Sequence, residues 1–206
     1  MDTGHLVTIG SISGSKSKMR RSISCTSAHF RRAFRTFHGT NLQSVEVGDH
    51  VPMVDLFEGD PGNRVALQEL VAGKRCVFFA VPGAFTPTCS QRHLPSYIEA
   101  YTELKHRADI VACVSVNDAW VMGAWGQHTG ATDLGIRMLA DPTGSFTAAM
   151  GAELEAPKLG GLRSRRYSMI VDDGRVTHLN LETPGKLEVS LPETVLLQLD
   201  TLNDND

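Results

Sequence analysis

The stretch VPGAFTPTCSQRHLP, residues 81–95, gathers a lone thiol at Cys89, a hydroxyl three positions earlier at Thr86 and an imidazole four positions later at His93. An apolar run ends at Val81 and a polar, helix-forming run follows Pro87, so the sulfur stands where a strand gives way to a helix. Proline is favoured at the first helical position, because its missing N–H would have had no partner there. With a helix opening at Pro87, Thr86 is the N-cap and Cys89 the third helical residue. The N-cap hydroxyl then lies beside the N–H of that third residue. The unpaired N–H groups of the first turn and the positive end of the helix dipole favour an anion. A thiol so placed is drawn toward the thiolate, the nucleophilic form. The chemistry expected is attack by one activated sulfur. His93 is a conceivable base, although a histidine at such a position more often packs or faces solvent.

The other cysteines read differently. Cys76 and Cys113 lie inside apolar strand-like runs and are expected to pack, while Cys25 falls in a basic leader. There is no C-x-x-C and no HExxH, so the spacing offers no structural metal site. A net charge of -3 gives no electrostatic case for nucleic acid, and no run approaches the ~20 apolar residues of a membrane span. The secretory pattern of an apolar core and a cleavage site is missing, which argues against a disulfide-stapled extracellular domain.

The elements that must hold Cys89 follow from periodicity. VPMVDLF (51–57) is strand-like and is followed by the turn-rich EGDPGN and a short helical VALQELVAG. CVFFAV (76–81) and DIVACVSV (109–116) are continuous apolar runs of strand length, as in strands covered on both faces. Pro95 is expected to bend or interrupt the helical 87–107 stretch. AWVMGAWGQHTG (119–130) is a helix closing on Gly130, IRMLAD (136–141) a third strand, and PTGSFTAAMGA a short helix. RYSMIV and RVTHLNLE flank DDG as a β-hairpin. LPETVLLQLDTL (191–202) is a final amphipathic helix with Val195, Leu196, Leu199 and Leu202 on one face. The pattern predicts an α/β fold, a central mixed sheet flanked by helices on both faces.

With these motifs in view, PGAFTPTCS matches the P-x-x-x-T-x-x-C signature of peroxiredoxins, and the chain resembles their peroxiredoxin-5, or type II, subgroup. IVACVSVNDAWVMGAW, LADPTGSF and RRYSMIVDDG extend the resemblance over about residues 45–203. It implies a thioredoxin-like fold and reduction of hydrogen peroxide and alkyl hydroperoxides without metal, haem or any other cofactor. It implies four site residues: Cys89 as the reactive sulfur, Thr86 as its hydroxyl partner, Pro82 as a shield and Arg166 as the guanidinium. Arg163 and Arg165 compete for that last role; alone, any of the three reads as a surface charge, and only the motif selects Arg166. Phe85, Trp120 and Trp125 are candidates for the site wall or a subunit contact, with plain core roles equally open.

The chain also departs from the pattern. Where animal-type members place a late resolving cysteine, in a segment like KLEVSL, this chain has Val189. Cys113 matches the second cysteine of plant-type members, but a sulfur inside a buried strand would need local unfolding to reach Cys89. A one-cysteine cycle is expected, with glutathione/glutaredoxin or thioredoxin as external reductant, and intramolecular resolution by Cys113 as the alternative. A peroxide sensor or redox relay would use the same cysteine. A thioredoxin-fold interaction module without catalysis is disfavoured, because all four site residues are present. The resemblance also implies a homodimer.

Residues 1–40 carry seven Lys and Arg against Asp2 alone and are rich in serine; the rest has thirteen basic and twenty-two acidic residues. Such a leader reads as a mitochondrial-type transit peptide. The expected division is a leader at 1–44 and a peroxiredoxin domain at 45–206, destined for the mitochondrial matrix, with cytoplasm or peroxisome as alternatives. The competing reading of the leader is a basic tail that stays attached.

Overall fold

A computed structural model of the chain describes residues 44–203. Seven strands form one mixed sheet in the order β2-β1-β5-β4-β3-β8-β9. These are β1 (Leu56–Glu58), β2 (Asp60–Val65), β3 (Arg75–Ala80), β4 (Ile110–Ser115), β5 (Arg137–Ala140), β8 (Tyr167–Asp172) and β9 (Arg175–Leu181). β3, β4 and β5 run parallel, and the pairs β3–β8, β8–β9, β1–β5 and β1–β2 are antiparallel. β6 (Glu153–Ala156) and β7 (Gly161–Ser164) make a separate small hairpin.

Side chains alternate across the central strands and build two cores. Val77 and Phe79 of β3, Val111 and Cys113 of β4 and Ile170 of β8 belong to one. That face is covered by α2 (Leu94–Glu99), α3 (Tyr101–Lys105), α4 (Ala119–Thr129), α5 (Ala131–Leu134) and α7 (Pro192–Asn203). Cys76, Phe78, Ala112, Val114, Met169 and Val171 build the other, under α1 (Leu67–Val71) and α6 (Ser145–Ala149). Burial on both faces explains why β3 and β4 read as unbroken apolar runs rather than alternating ones.

Local chemistry sets the ends of the elements. Asp118 caps α4 by accepting from the Val121 N–H at 2.9 Å, and Gly130 at φ 76° ends it in the left-handed conformation. Asp173 (φ 43°) and Gly174 (φ 78°) form the two-residue turn between β8 and β9, whose twist matches the flanking strands. In α7, Val195 and Leu199 are buried while Leu197 is 70% exposed.

Two features differ from the sequence reading. The strand within 51–57 starts only at Leu56, and the turn-rich EGDPGN becomes a strand: Gly59 (φ 71°) reverses the chain and 60–65 pairs back on β1. Pro61 is tolerated because β2 is the sheet's outer edge, where a missing donor breaks no ladder. The β6–β7 hairpin was not anticipated, its burial pattern being too shallow to stand out from loop sequence. The helical stretch after Pro87 includes a π-helical turn, Cys89–His93, in which the Leu94 N–H reaches the Cys89 carbonyl. Pro95 follows at once. Its ring lacks an N–H and would crowd the carbonyl four residues back, and the wide turn relieves that conflict without breaking the helix.

Candidate active site

The site forms at the C-terminal ends of the parallel strands, where open α/β sheets generally bind ligands. β3 ends at Ala80, and the loop 81–86 is tied back to β4. Val81 N–H donates to Val114 O at 3.0 Å, the Ser115 hydroxyl donates to Val81 O at 3.1 Å, and Ala84 N–H donates to Asn117 Oδ1 at 3.0 Å. Phe85 sits at φ 60°, a strained conformation for a bulky residue, and is 53% exposed. The loop then enters the helix, with Ser90 N–H on Thr86 O at 2.9 Å closing the first turn. Thr86 is therefore the cap in the backbone sense. Its hydroxyl does not take the expected place on the Cys89 N–H; it donates to Gly83 O at 2.9 Å. The reason is local, since the tight 83–86 turn brings that carbonyl underneath it. The hydroxyl hydrogen is thus engaged, and the oxygen keeps its lone pairs for an incoming donor.

Cys89 is 1% exposed and packs in the first core. Arg166, brought from the strand edge just before β8, is itself 8% exposed and places Nη2 3.5 Å from the Cys89 Sγ. Its Nη1 lies 2.9 Å from His93 Nδ1. The competing arginines go elsewhere. Arg163 donates to Val116 O and Leu159 O, and Arg165 donates to Glu182 O at 2.8 Å. Pro82 is half-buried in the loop before the turn. Trp125 is a core residue whose indole N–H donates to the Ser90 hydroxyl at 3.1 Å, whereas Trp120 is 63% exposed and donates to Asp60. Cys113 has no exposure in the middle of the sheet, between Phe79 and Met138 on its neighbouring strands. Burial, reinforced by the nearby Cys89, pushes its thiol well above the usual range. Cys76, on the opposite face, is pushed up to about 12, chiefly by burial.

The least anticipated part lies behind Arg166. His93 is fully buried, and burial, together with the Arg166 charge, lowers its pKa to about 3 against an opposing bond to Ser190. Its Nε2 stands 3.0 Å from Ser190 O, which also accepts from the Tyr97 hydroxyl at 2.9 Å. Ser190 is fixed in turn by Glu182. One oxygen of that buried carboxylate accepts from the N–H groups of Glu188, Val189 and Ser190 at 2.6, 2.8 and 2.9 Å, and from the Ser190 hydroxyl at 2.9 Å. Successive N–H groups converging on one oxygen make an anion nest. Burial raises the Glu182 pKa, but these hydrogen bonds outweigh it and hold the carboxyl below its usual value. One hint is legible beforehand, the spacing of His93 from Cys89. Nothing local announces Ser190 or Glu182, which lie some ninety positions away.

A mixed sheet of this topology, presenting one thiol beside a guanidinium, defines a thiol-based redox protein of the thioredoxin-like class. The Redoxin family matches residues 46–196. Among curated relatives, Peroxiredoxin-2E-2, chloroplastic, of Oryza sativa subsp. japonica is 45% identical over 168 residues, covering 78% of this chain and 75% of the relative. Peroxiredoxin-2E, chloroplastic, of Arabidopsis thaliana is 44% identical, covering 76% and 70%. The reduced Prx3 of Vibrio vulnificus in complex with hydrogen peroxide superposes with a TM-score of 0.71 at 49% identity, covering 75% of this chain and 99% of that one. The chain belongs to the Redoxin family and is a peroxiredoxin, a thiol-dependent peroxidase with the thioredoxin-like fold. These relatives correct one expectation. Destinations in the mitochondrion, cytoplasm or peroxisome are overturned by relatives named as chloroplastic. An acid-poor, Ser- and Arg-rich leader is common to both kinds of organelle, so composition could not separate them, and residues 1–43 lie outside the described part of the chain.

The Glu182 nest makes a prediction about acid stability. A carboxyl held below its unfolded pKa contributes stability that is present above the ordinary carboxylate range and is lost as pH falls through the folded value. Glu182→Gln should cost about 2 kcal/mol in urea unfolding at pH 7. The deficit should shrink steadily below pH 4.5, the ordinary value for this side chain. A deficit that stays constant from pH 7 to pH 3 would assign the loss to packing instead.

Proposed function

We propose that Cys89 is the peroxidatic sulfur, with Arg166, Thr86 and Pro82 as its site. The observation that carries this reading is the Arg166 Nη2 at 3.5 Å from the Cys89 Sγ, a buried cation against a buried thiol. A hydroperoxide presents its terminal oxygen to the thiolate. The S–O bond forms as the O–O bond breaks, and the electron pair leaves with the departing oxygen, which takes up a proton to become water or an alcohol. Sulfur is oxidised to sulfenic acid by two electrons and the peroxide is reduced by two. The guanidinium opposes negative charge first on sulfur and then on the departing oxygen, so its benefit grows toward the transition state. Thr86, with its hydrogen given to Gly83, accepts the peroxide O–H and orients it. Pro82 shields the sulfur from bulk water. The complex of the related Prx3 of Vibrio vulnificus with hydrogen peroxide supports this substrate class.

The reduction half of the cycle is read as a one-cysteine route. An external thiol attacks the sulfenic sulfur, releasing water and leaving a mixed disulfide, and a second thiol regenerates Cys89. Glutathione with glutaredoxin, or thioredoxin, supplies those thiols. The total burial of Cys113 in the sheet and Val189 in the place of a late cysteine support this over internal resolution. In steady-state peroxide consumption with each reductant system supplied separately, Cys89→Ser should abolish turnover. Cys113→Ser should retain it within about twofold. Equal loss in both variants would refute the one-cysteine cycle.

Residues 1–44 are proposed as a cleavable leader for a plastid, supported by their basic, serine-rich composition and by the names of the two relatives above. A fluorescent protein carrying residues 1–60 should enter plastids when expressed in a plastid-bearing cell and lose the leader; diffuse fluorescence of the intact fusion would refute this. A homodimer completes the reading, because the exposed rings of Phe85 and Trp120 give a second copy apolar surface to cover. Sedimentation velocity at micromolar concentration should show twice the chain mass, and Trp120→Glu should shift it toward the monomer.

A further inference from the structure

Arg166 can serve the sulfur only if its guanidinium plane is held, and what holds that plane is legible in the hydrogen bonds. A guanidinium has donors and no acceptor. The 2.9 Å approach of Arg166 Nη1 to His93 Nδ1 therefore requires a lone pair on Nδ1, so the imidazole proton resides on Nε2. Nε2 faces Ser190 O at 3.0 Å, an acceptor that needs that proton. Only one protonation state, the neutral Nε2–H tautomer, satisfies both ends. The imidazolium would turn an N–H against the guanidinium. The ring is also clamped edge-on, with Phe79 at 5.3 Å and 73° and Tyr97 at 5.4 Å and 79°, and Tyr97 shares the Ser190 carbonyl.

We propose that His93 is a positioning residue for the peroxidase reaction: it fixes the orientation of Arg166 toward Cys89 and receives its own orientation from the 182–190 segment through the Ser190 carbonyl. This rests on the reading of Cys89 and Arg166 given above. The continuity is physical. Glu182 holds the Ser190 N–H and hydroxyl, Ser190 O holds His93, His93 holds Arg166, and Arg166 faces the sulfur. Glu182 is also joined to the arginine directly, its N–H donating to Arg166 O at 2.9 Å. Residues 183–186 are exposed, so a surface turn is tied to the reacting centre through a chain of buried contacts. Loss of His93 would leave the guanidinium charged and nearby but free to swing, and reaction rates are sensitive to displacements on the scale of an ångström.

The test separates positioning from packing by comparing two reactions of the same sulfur. Pre-reduced protein is mixed with hydrogen peroxide in a single turnover by stopped flow. In parallel, Cys89 is alkylated with iodoacetamide, whose reaction has no O–O bond for Arg166 to assist. His93→Leu should slow the peroxide reaction by about tenfold or more, with alkylation changed by less than about threefold. His93→Asn places an amide oxygen near the Nδ1 position and should restore most of the peroxide rate. In the His93→Leu, Arg166→Gln double variant the loss should be no greater than in Arg166→Gln alone, as expected of residues acting through one group. A folded His93→Leu with an unchanged peroxide rate, or with both reactions slowed by the same factor, would overturn the proposal. Should His93→Leu not fold, Glu182→Gln, remote from the sulfur, carries the same comparison: selective slowing of the peroxide reaction supports the chain of contacts and proportional slowing refutes it. Peroxide reactivity surviving in Cys89→Ser would be a different failure, that of the underlying assignment.

Discussion

A sulfur that is to carry negative charge inside a protein needs a cation beside it, and here the two come from strands on opposite sides of a pairing. β3 delivers Cys89 past its C-terminal end, and β8 delivers Arg166 just before its first residue. The two strands are antiparallel neighbours, Ala80 paired with Tyr167, so the end of one lies beside the beginning of the other. Seventy-seven residues of sequence separation collapse into a 3.5 Å contact. An isolated charge in such a place would be prohibitive to bury. The contact is sustained on the arginine's side by a second engagement, its guanidinium also meeting His93 Nδ1 at 2.9 Å.

The sheet itself was plain in the amino-acid order. CVFFAV and DIVACVSV are largely apolar because both faces are covered, and the DDG turn between two strand-like runs reads as a hairpin. The position of Cys89 was equally readable, since proline, threonine and the end of an apolar run mark a helix start by purely local rules. The edge strand was not, because Asp60, Pro61 and Gly62 look like a turn and become a strand only by pairing with β1. Those residues obey a tertiary constraint that no window of sequence contains.

The same division runs through the site. The hydroxyl of Thr86 was expected on the Cys89 N–H, yet the geometry of the 83–86 turn offers it a nearer carbonyl. His93 could be noticed but not interpreted: the residues just before it, Ser90, Gln91 and Arg92, are polar, and what buries it is Phe79, Tyr97 and Ser190, two of them from other elements. Glu182 illustrates the limit most clearly. In sequence it is one acidic residue near the end of a strand. In the fold its single oxygen gathers three consecutive backbone N–H groups, and so a charge becomes the organiser of a loop.

The two tryptophans live in contrasting surroundings, and this gives the molecule an optical property of its own. Trp125 is sealed in the core and bonded to the hydroxyl of the residue that follows Cys89, while Trp120 faces solvent. The buried indole is tied to the residue next to the sulfur, and the other stands in water. A rearrangement of that first helical turn would reach the buried chromophore through the Ser90 hydroxyl, with the exposed one as an internal reference.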